Sequence, residues 1–297
     1  MDGAVVEQFA VPGAQLYTET RGSGPLLLFV VGGNGDPAVY AGVAGRLAGD
    51  FTVVTYARRG FSRSPVDGPV DDARRISADV ADAAALISRH GGGPAFVFGS
   101  SSGAIVTLDL VTRHPDLVRV AVVHEPPILE LLDDPGSWEE RFAGIYATYS
   151  TAGLWPAMAE FGQAVGLGGP APAPGAGAGP APGAGAASAP GAGADPEMAA
   201  MLARVQGNMT FWMEHEFRQY PAYRPDFGAL TAVAGKIVPA GGRDSREKGN
   251  MPYLPAVTLA GRLGRDIAEF PGGHVGYAEH PDEFAAQLGG LLGADRG

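Results

Sequence analysis

The apolar run Phe96-Val97-Phe98 leads straight into Gly99-Ser100-Ser101-Ser102-Gly103, and helical spacing follows from Ile105 to His114. Few arrangements satisfy that order. A buried strand must turn sharply and enter a helix at once, and the residue at the apex has its side chain pushed out of the backbone. Glycines two residues before and two residues after Ser101 remove the Cβ atoms that would clash in such a turn. Ser102 in the same register would have Ser100 and Ala104 there, a poorer fit, so Ser101 is read as the exposed hydroxyl. The helix N-terminus beneath it offers unpaired N–H groups to a developing oxyanion. The turn therefore reads as a nucleophile in need of a base and an acid.

The rest of the chain supplies a matching frame. Val5 to Phe9 and Gln15 to Thr20 read as an opening antiparallel pair, and Leu26 to Val31 as a strand buried on both faces. A helix over Ala38 to Leu47, a strand over Phe51 to Tyr56 and a helix over Ile76 to Arg89 follow. In the last, Val80, Ala83, Ala84 and Ile87 fall at helical spacing. After the serine turn come a strand over Val118 to Val123 and, much later, Lys236 to Ala240, a helix over Leu254 to Leu263, a strand over Asp266 to Phe270 and a helix over Pro281 to Leu292. Strands alternating with helices imply a parallel sheet wound right-handedly, an α/β class.

That rhythm breaks between about Pro126 and Thr231. Aromatic-rich helices are predicted there at Trp138 to Tyr149, Leu154 to Val165 and Glu197 to Phe217. Between the last two lies a Pro/Ala/Gly tract, residues 168–196, with no charge before Asp195 and no large apolar side chain. Such a tract cannot bury enough surface to offset its ordering entropy, so it is expected to be disordered. Because the β-α rhythm resumes beyond it, the chain is read as one core, residues 1–125 and 232–297, carrying a helical insertion over 126–231.

Composition excludes several classes. With 21 basic and 32 acidic residues the net charge is −11, which argues against nucleic acid or an anionic membrane as partner and for a monomer or small homo-oligomer acting on a small molecule. The absence of cysteine removes disulfides, thiolate chemistry and Cys-ligated metals. Six histidines without metal-ligand spacing give no metal site, and no cofactor is expected. No basic-then-apolar leader and no membrane-length apolar run is visible, so a cytoplasmic location is the default expectation.

With GSSSG after a strand, the Gly-rich turn VVGGNGDP after an earlier one, YARRGFSRSP, and GGRDS followed by PGGHVGYAEHP, the chain resembles the α/β-hydrolase fold family over nearly its whole length. The resemblance implies a mostly parallel eight-stranded sheet flanked by helices, with the insertion as a helical cap. It also implies the chain order serine, acid, histidine. His274, projected by Pro271-Gly272-Gly273, is the candidate base. Asp244, just beyond the strand Lys236 to Ala240, stands where the family's usual acid does. Glu125, ending the strand Val118 to Val123, is the alternative, since some relatives place the acid there. The oxyanion would be held by the N–H of Ser102 and by that of Gly33, with Asn34 as the alternative to Gly33. Many relatives have histidine where Val31 stands and aspartate where Ala57 stands. A serine nucleophile separates the chain from epoxide hydrolases and haloalkane dehalogenases of similar fold, which carry a carboxylate.

Trp155, Phe211, Trp212 and His124 are candidates for the pocket wall, although aromatics at helical spacing are more often core than ligand wall. The expected activity is hydrolysis of a carboxylic ester or lactone of a mainly apolar small molecule. The other expectations kept open are a lyase or cyclase of secondary metabolism on the same scaffold, and a catalytically silent binding protein.

Overall fold

The computed structural model describes residues 3–91, 93–168 and 196–293. Eight strands form one sheet: β1 (Val5–Val11), β2 (Ala14–Arg21), β3 (Leu26–Val30), β4 (Thr52–Tyr56), β5 (Ala95–Ser100), β6 (Val118–His124), β7 (Ile237–Gly242) and β8 (Ala268–Phe270). Their order is β1-β2-β4-β3-β5-β6-β7-β8. β1 pairs antiparallel with β2 and β2 antiparallel with β4, and every later pairing is parallel. β3 and β5 are buried at every position, as uninterrupted apolar runs require when both faces of a parallel sheet are covered.

The helices are α1 (Ala41–Leu47), α2 (Arg75–Arg89), α3 (Ser102–Arg113), α4 (Pro135–Ala152), α5 (Leu154–Ala164), α6 (Pro196–His215), α7 (Phe227–Ala232), α8 (Arg243–Lys248), α9 (Tyr253–Leu263), α10 (Gly276–Glu279) and α11 (Pro281–Gly293). One core packs α2, α3 and α9 against one sheet face through Leu28, Val97, Leu86, Val106 and Leu259. On the other face α1 and α11 pack through Phe29, Phe98, Val43, Phe284 and Leu288. A third, smaller core belongs to the insertion and includes Phe142, Ile145, Met213 and Phe217, with Trp138, Phe161 and Trp212 around it. Most of the inserted aromatics therefore pack on one another. Residues 169–195, nearly all of the tract expected to be disordered, lie outside the described residues.

The topology fixes where chemistry can occur. From β3 the chain crosses to β4 on one side and returns to β5 on the other, so the loops after β3 and β5 diverge and leave a crevice at their carboxyl ends. The Gly-rich turn 32–35 follows β3 and Ser101 follows β5, side by side at that switch point.

The serine turn is as tight as its glycines suggest. Ser101 has φ +57° and ψ −126°, a conformation costly for a residue with a Cβ. A Cβ on Gly103 would lie 2.2 Å from the Val30 carbonyl oxygen, and one on Gly99 would lie 2.3 Å from that of Gly103. Neither neighbour is a flexible side chain. Gly103→Ala is accordingly expected to destabilise the fold by about 2 kcal/mol or more, the upper range for forced overpacking, read as a lower urea midpoint. An unchanged midpoint would show that β3 and α3 are not in this close contact.

Candidate active site

Residues from four loops meet at the crevice. Ser101 N–H donates to the His124 carbonyl at 3.0 Å, which fastens the serine turn to the end of β6. One residue further on, Glu125 takes a positive φ of 48°. Its own N–H donates to the Ala240 carbonyl of β7, so the strained residue is tied down by the neighbouring strand. The turn sends the Glu125 carboxylate back across the sheet edge. There Oε1 accepts the Gly242 N–H at 2.8 Å and Oε2 meets His274 Nδ1 at 2.6 Å.

Burial alone would raise the Glu125 carboxyl, but the hydrogen bond from His274, aided by that from Gly242, brings it down to about 2. It is thus a fixed anion at neutral pH. It holds Nδ1 of His274 as the donor and leaves Nε2 as the free nitrogen. His274 is largely buried, its side chain 13% exposed. The Ser101 hydroxyl makes no hydrogen bond within the described residues.

Asp244 is a correction to the sequence reading. It lies near the histidine loop, for its N–H donates to the Gly272 carbonyl at 2.9 Å. However, residues 243–248 form the short helix α8. That helix turns the Asp244 side chain outward to Lys248, one helical turn on, at 3.3 Å and 45% exposed. The hydrogen-bonding partner of His274 is Glu125, and β7 contributes the Gly242 N–H that donates to that same carboxylate.

His124 is a second correction. It is fully buried and cannot line a pocket. It sits under the serine turn among Phe98, Phe270 and Phe284, with Nδ1 3.0 Å from Ser100 Oγ. Burial, only partly offset by the Glu125 charge, lowers it from near 6.5 to about 4. The folded state therefore keeps His124 neutral where an unfolded chain would protonate it, and stability falls as pH drops from about 6.5 towards 4. The His124 share of that loss at pH 4.5 is about 2 kcal/mol. Urea unfolding of His124→Gln should show a correspondingly shallower decline between pH 7 and 4.5. Equal declines in the two proteins would contradict a neutral buried imidazole.

The Gly-rich turn stands against the serine. A Cβ on Gly32 would lie 3.0 Å from Ser101 Cβ, and one on Gly33 would lie 2.5 Å from Trp212 Nε1. Within the described residues the N–H groups of Gly33 and Ser102 donate to no protein acceptor. Asn34 is held through its oxygens: its side-chain oxygen accepts the Asp36 N–H and its carbonyl accepts from Asn208, and its own backbone N–H donates to no backbone acceptor within the described residues. Of the proposed wall residues, Trp212 reaches this turn. Phe211 packs edge-on against Phe61, their ring centres 4.8 Å apart, and so anchors the insertion to the loop after β4. Trp155 is half-buried on α5. The described residues contain no cluster of three or more metal-ligating side chains and no helix long and apolar enough to cross a membrane.

The sequence reading missed a buried ionic cluster between the inserted helices and the core. Arg58 and Arg75 face Asp79 and Glu216, all at most 1% exposed. The doubled arginine in Tyr56-Ala57-Arg58-Arg59 was its one visible sign, because the Glu216 partner lies 158 residues away.

A mixed sheet of this order, with a strained serine turn at its switch point and a histidine–carboxylate pair beside it, defines an α/β hydrolase architecture. The chain belongs to the alpha/beta hydrolase family, whose sequence model matches residues 27–287. It is 35% identical over 287 residues to an uncharacterized hydrolase of Bacillus subtilis (strain 168), YraK, covering 95% of this chain and 94% of that one. It is 26% identical to a zearalenone hydrolase of Bionectria ochroleuca, covering 92% of each. Among solved structures, an alpha/beta hydrolase from Sphaerobacter thermophilus DSM 20745 superposes with a TM-score of 0.62 at 22% identity, covering 95% of this chain and 99% of that one.

Proposed function

We propose that this protein is a serine hydrolase that cleaves a carboxylic ester or lactone through Ser101, His274 and Glu125. The observation that carries the reading is the 2.6 Å bond between His274 Nδ1 and the buried, ionised Glu125. A histidine so held presents Nε2 as a base and can bear the positive charge it gains. Ser101 Oγ attacks the substrate carbonyl while its proton passes to His274 Nε2, and the oxyanion is received by the N–H groups of Ser102 and Gly33. His274 then hands the proton to the departing alkoxide, leaving an acyl-Ser101. Water, deprotonated by the same nitrogen, repeats the attack and frees the acid.

Trp212 beside the Gly33 turn and the aromatic core of the insertion favour a substrate that is mainly apolar around its carbonyl, with the inserted helices acting as a cap. The relative named a zearalenone hydrolase is consistent with a hydrolytic role for this scaffold. The test is a panel of p-nitrophenyl esters of graded acyl length, together with aromatic and aliphatic lactones. Turnover is expected with a pre-steady-state burst of one equivalent on the activated esters, and Ser101→Ala should show no burst and only a trace of the turnover. A burst, or turnover within about a hundredfold of the unaltered protein, in Ser101→Ala would overturn the assignment.

A further inference from the structure

Arg58 makes an unusual set of bonds for a residue outside the reacting group. Its guanidinium is fully buried. Nε donates to the Val31 carbonyl at 2.8 Å and Nη2 to the Gly32 carbonyl at 3.0 Å. Its outer edge meets Glu216 in a fork, Nη1 to Oε1 at 2.6 Å and Nη2 to Oε2 at 2.7 Å, and Nη1 also reaches Asp79 at 2.6 Å. Arg75 adds a second contact to the same Glu216 oxygen at 3.0 Å, and the Tyr220 hydroxyl lies 3.3 Å from Nη1.

The Gly32 carbonyl belongs to the same planar trans peptide as the Gly33 N–H, and the two point in opposite directions. Turning that carbonyl towards Arg58 therefore aims the Gly33 N–H away from the arginine. A peptide whose oxygen accepts from a cation is also polarised into a better donor at its nitrogen. The Gly35 N–H donates to the same carbonyl at 3.0 Å, so the plane is held by two donors.

The counter-charge comes from the inserted helices. Asn208 and Trp212 on α6, and Glu216 just past its end, recur every four residues and so lie on one helical face. All three meet the Gly-rich turn or its support. The Asn208 amide donates to the Asn34 carbonyl at 2.7 Å and accepts from the Ser62 N–H at 2.6 Å. Trp212 fills the space a Cβ on Gly33 would need, and Glu216 closes on Arg58. Buried ionic clusters of this kind add little net stability over an apolar replacement, whereas half of one is strongly destabilising. What this cluster adds is direction.

We propose that Arg58 is a positioning residue for the oxyanion donor Gly33, and that Glu216 of the cap completes it, so that docking of α6 and assembly of the oxyanion site are one event. This rests on the hydrolase reading above. The test uses the full chain, a fluorophosphonate to titrate sites and measure the phosphonylation rate constant, and a p-nitrophenyl ester to give kcat per titrated site and KM.

Lysine cannot reproduce the fork, so Arg58→Lys should lower both kcat and the phosphonylation rate constant about 50-fold, short of the 10²–10³ expected for deleting a donor outright. Glu216→Gln, which keeps the side chain's shape, should lower both about tenfold, again as a fraction of that donor loss. In each, KM should move less than about threefold, the pattern of an interaction made chiefly in the transition state, and labelling should still go to completion at Ser101. If Arg58→Lys does not fold, Glu216→Gln decides alone. Unchanged kcat per titrated site, or a raised KM with kcat unchanged, would overturn the proposal by reducing the cluster to packing or substrate binding. Failure of the wild-type protein to label would instead overturn the hydrolase reading itself.

Discussion

Ser101→Ala is expected to lower kcat by about 10⁶-fold, and His274→Ala by nearly as much, with the double variant no worse than either single one. In the proposed mechanism the two groups act as a unit. An alanine at 101 leaves His274 with no proton to take, and an alanine at 274 leaves a hydroxyl with no base. What survives should be the catalysis supplied by binding and by the Ser102 and Gly33 N–H groups, about 10³–10⁴ over water. Steady-state kinetics on an activated ester checks this. Losses that multiply in the double variant would mean that Ser101 and His274 serve separate steps.

The second large effect concerns the acid. Glu125→Gln preserves volume and the bond from the Gly242 N–H, yet it replaces an anion with an amide that can present a donor to His274 Nδ1. The histidine would then favour the wrong tautomer and lose the charge that stabilises its imidazolium, so kcat should fall by about 10⁴-fold. Asp244→Asn should leave kcat within about twofold, because an exposed ion pair with Lys248 contributes little. Thermal unfolding of both variants separates catalysis from folding. The reverse ranking, with Asp244→Asn the damaging change, would remove Glu125 from the mechanism.

Why these two carboxylates could not be told apart in the sequence is a physical matter. Both follow strands whose ends meet at the same edge, and both lie within a loop's reach of the histidine. The choice was made by α8, a six-residue helix with little periodicity to announce it, which swings Asp244 towards Lys248. The backbone at Glu125 could not be read either, since a positive φ at a glutamate is rare, although the two prolines after it mark an abrupt end to β6.

Where side chains are apolar and pairing is local, the reading was direct. Leu26–Val30 and Ala95–Ser100 were legible because strands buried on both faces need uninterrupted apolar runs. The serine turn was legible because its glycines answer to backbone 2–3 Å away. The final strand was overextended: pairing to β7 begins only at Ala268, and Asp266 stays outside the ladder. The Arg58–Glu216 contact was out of reach because it is tertiary. Nothing near Arg58 in the sequence distinguishes an arginine buried against the Gly-rich turn from one that faces water. His124 misled for a similar reason, since a histidine at a strand end can point up into a crevice or down among phenylalanines, and Phe98, Phe270 and Phe284 come from three separate elements.

The most direct test of the account is fluorophosphonate labelling at pH 7 followed by peptide mapping. The account predicts one adduct per chain, on Ser101 rather than Ser100 or Ser102, and its loss in His274→Ala. No adduct on the folded protein, or an adduct on either neighbouring serine, would contradict it.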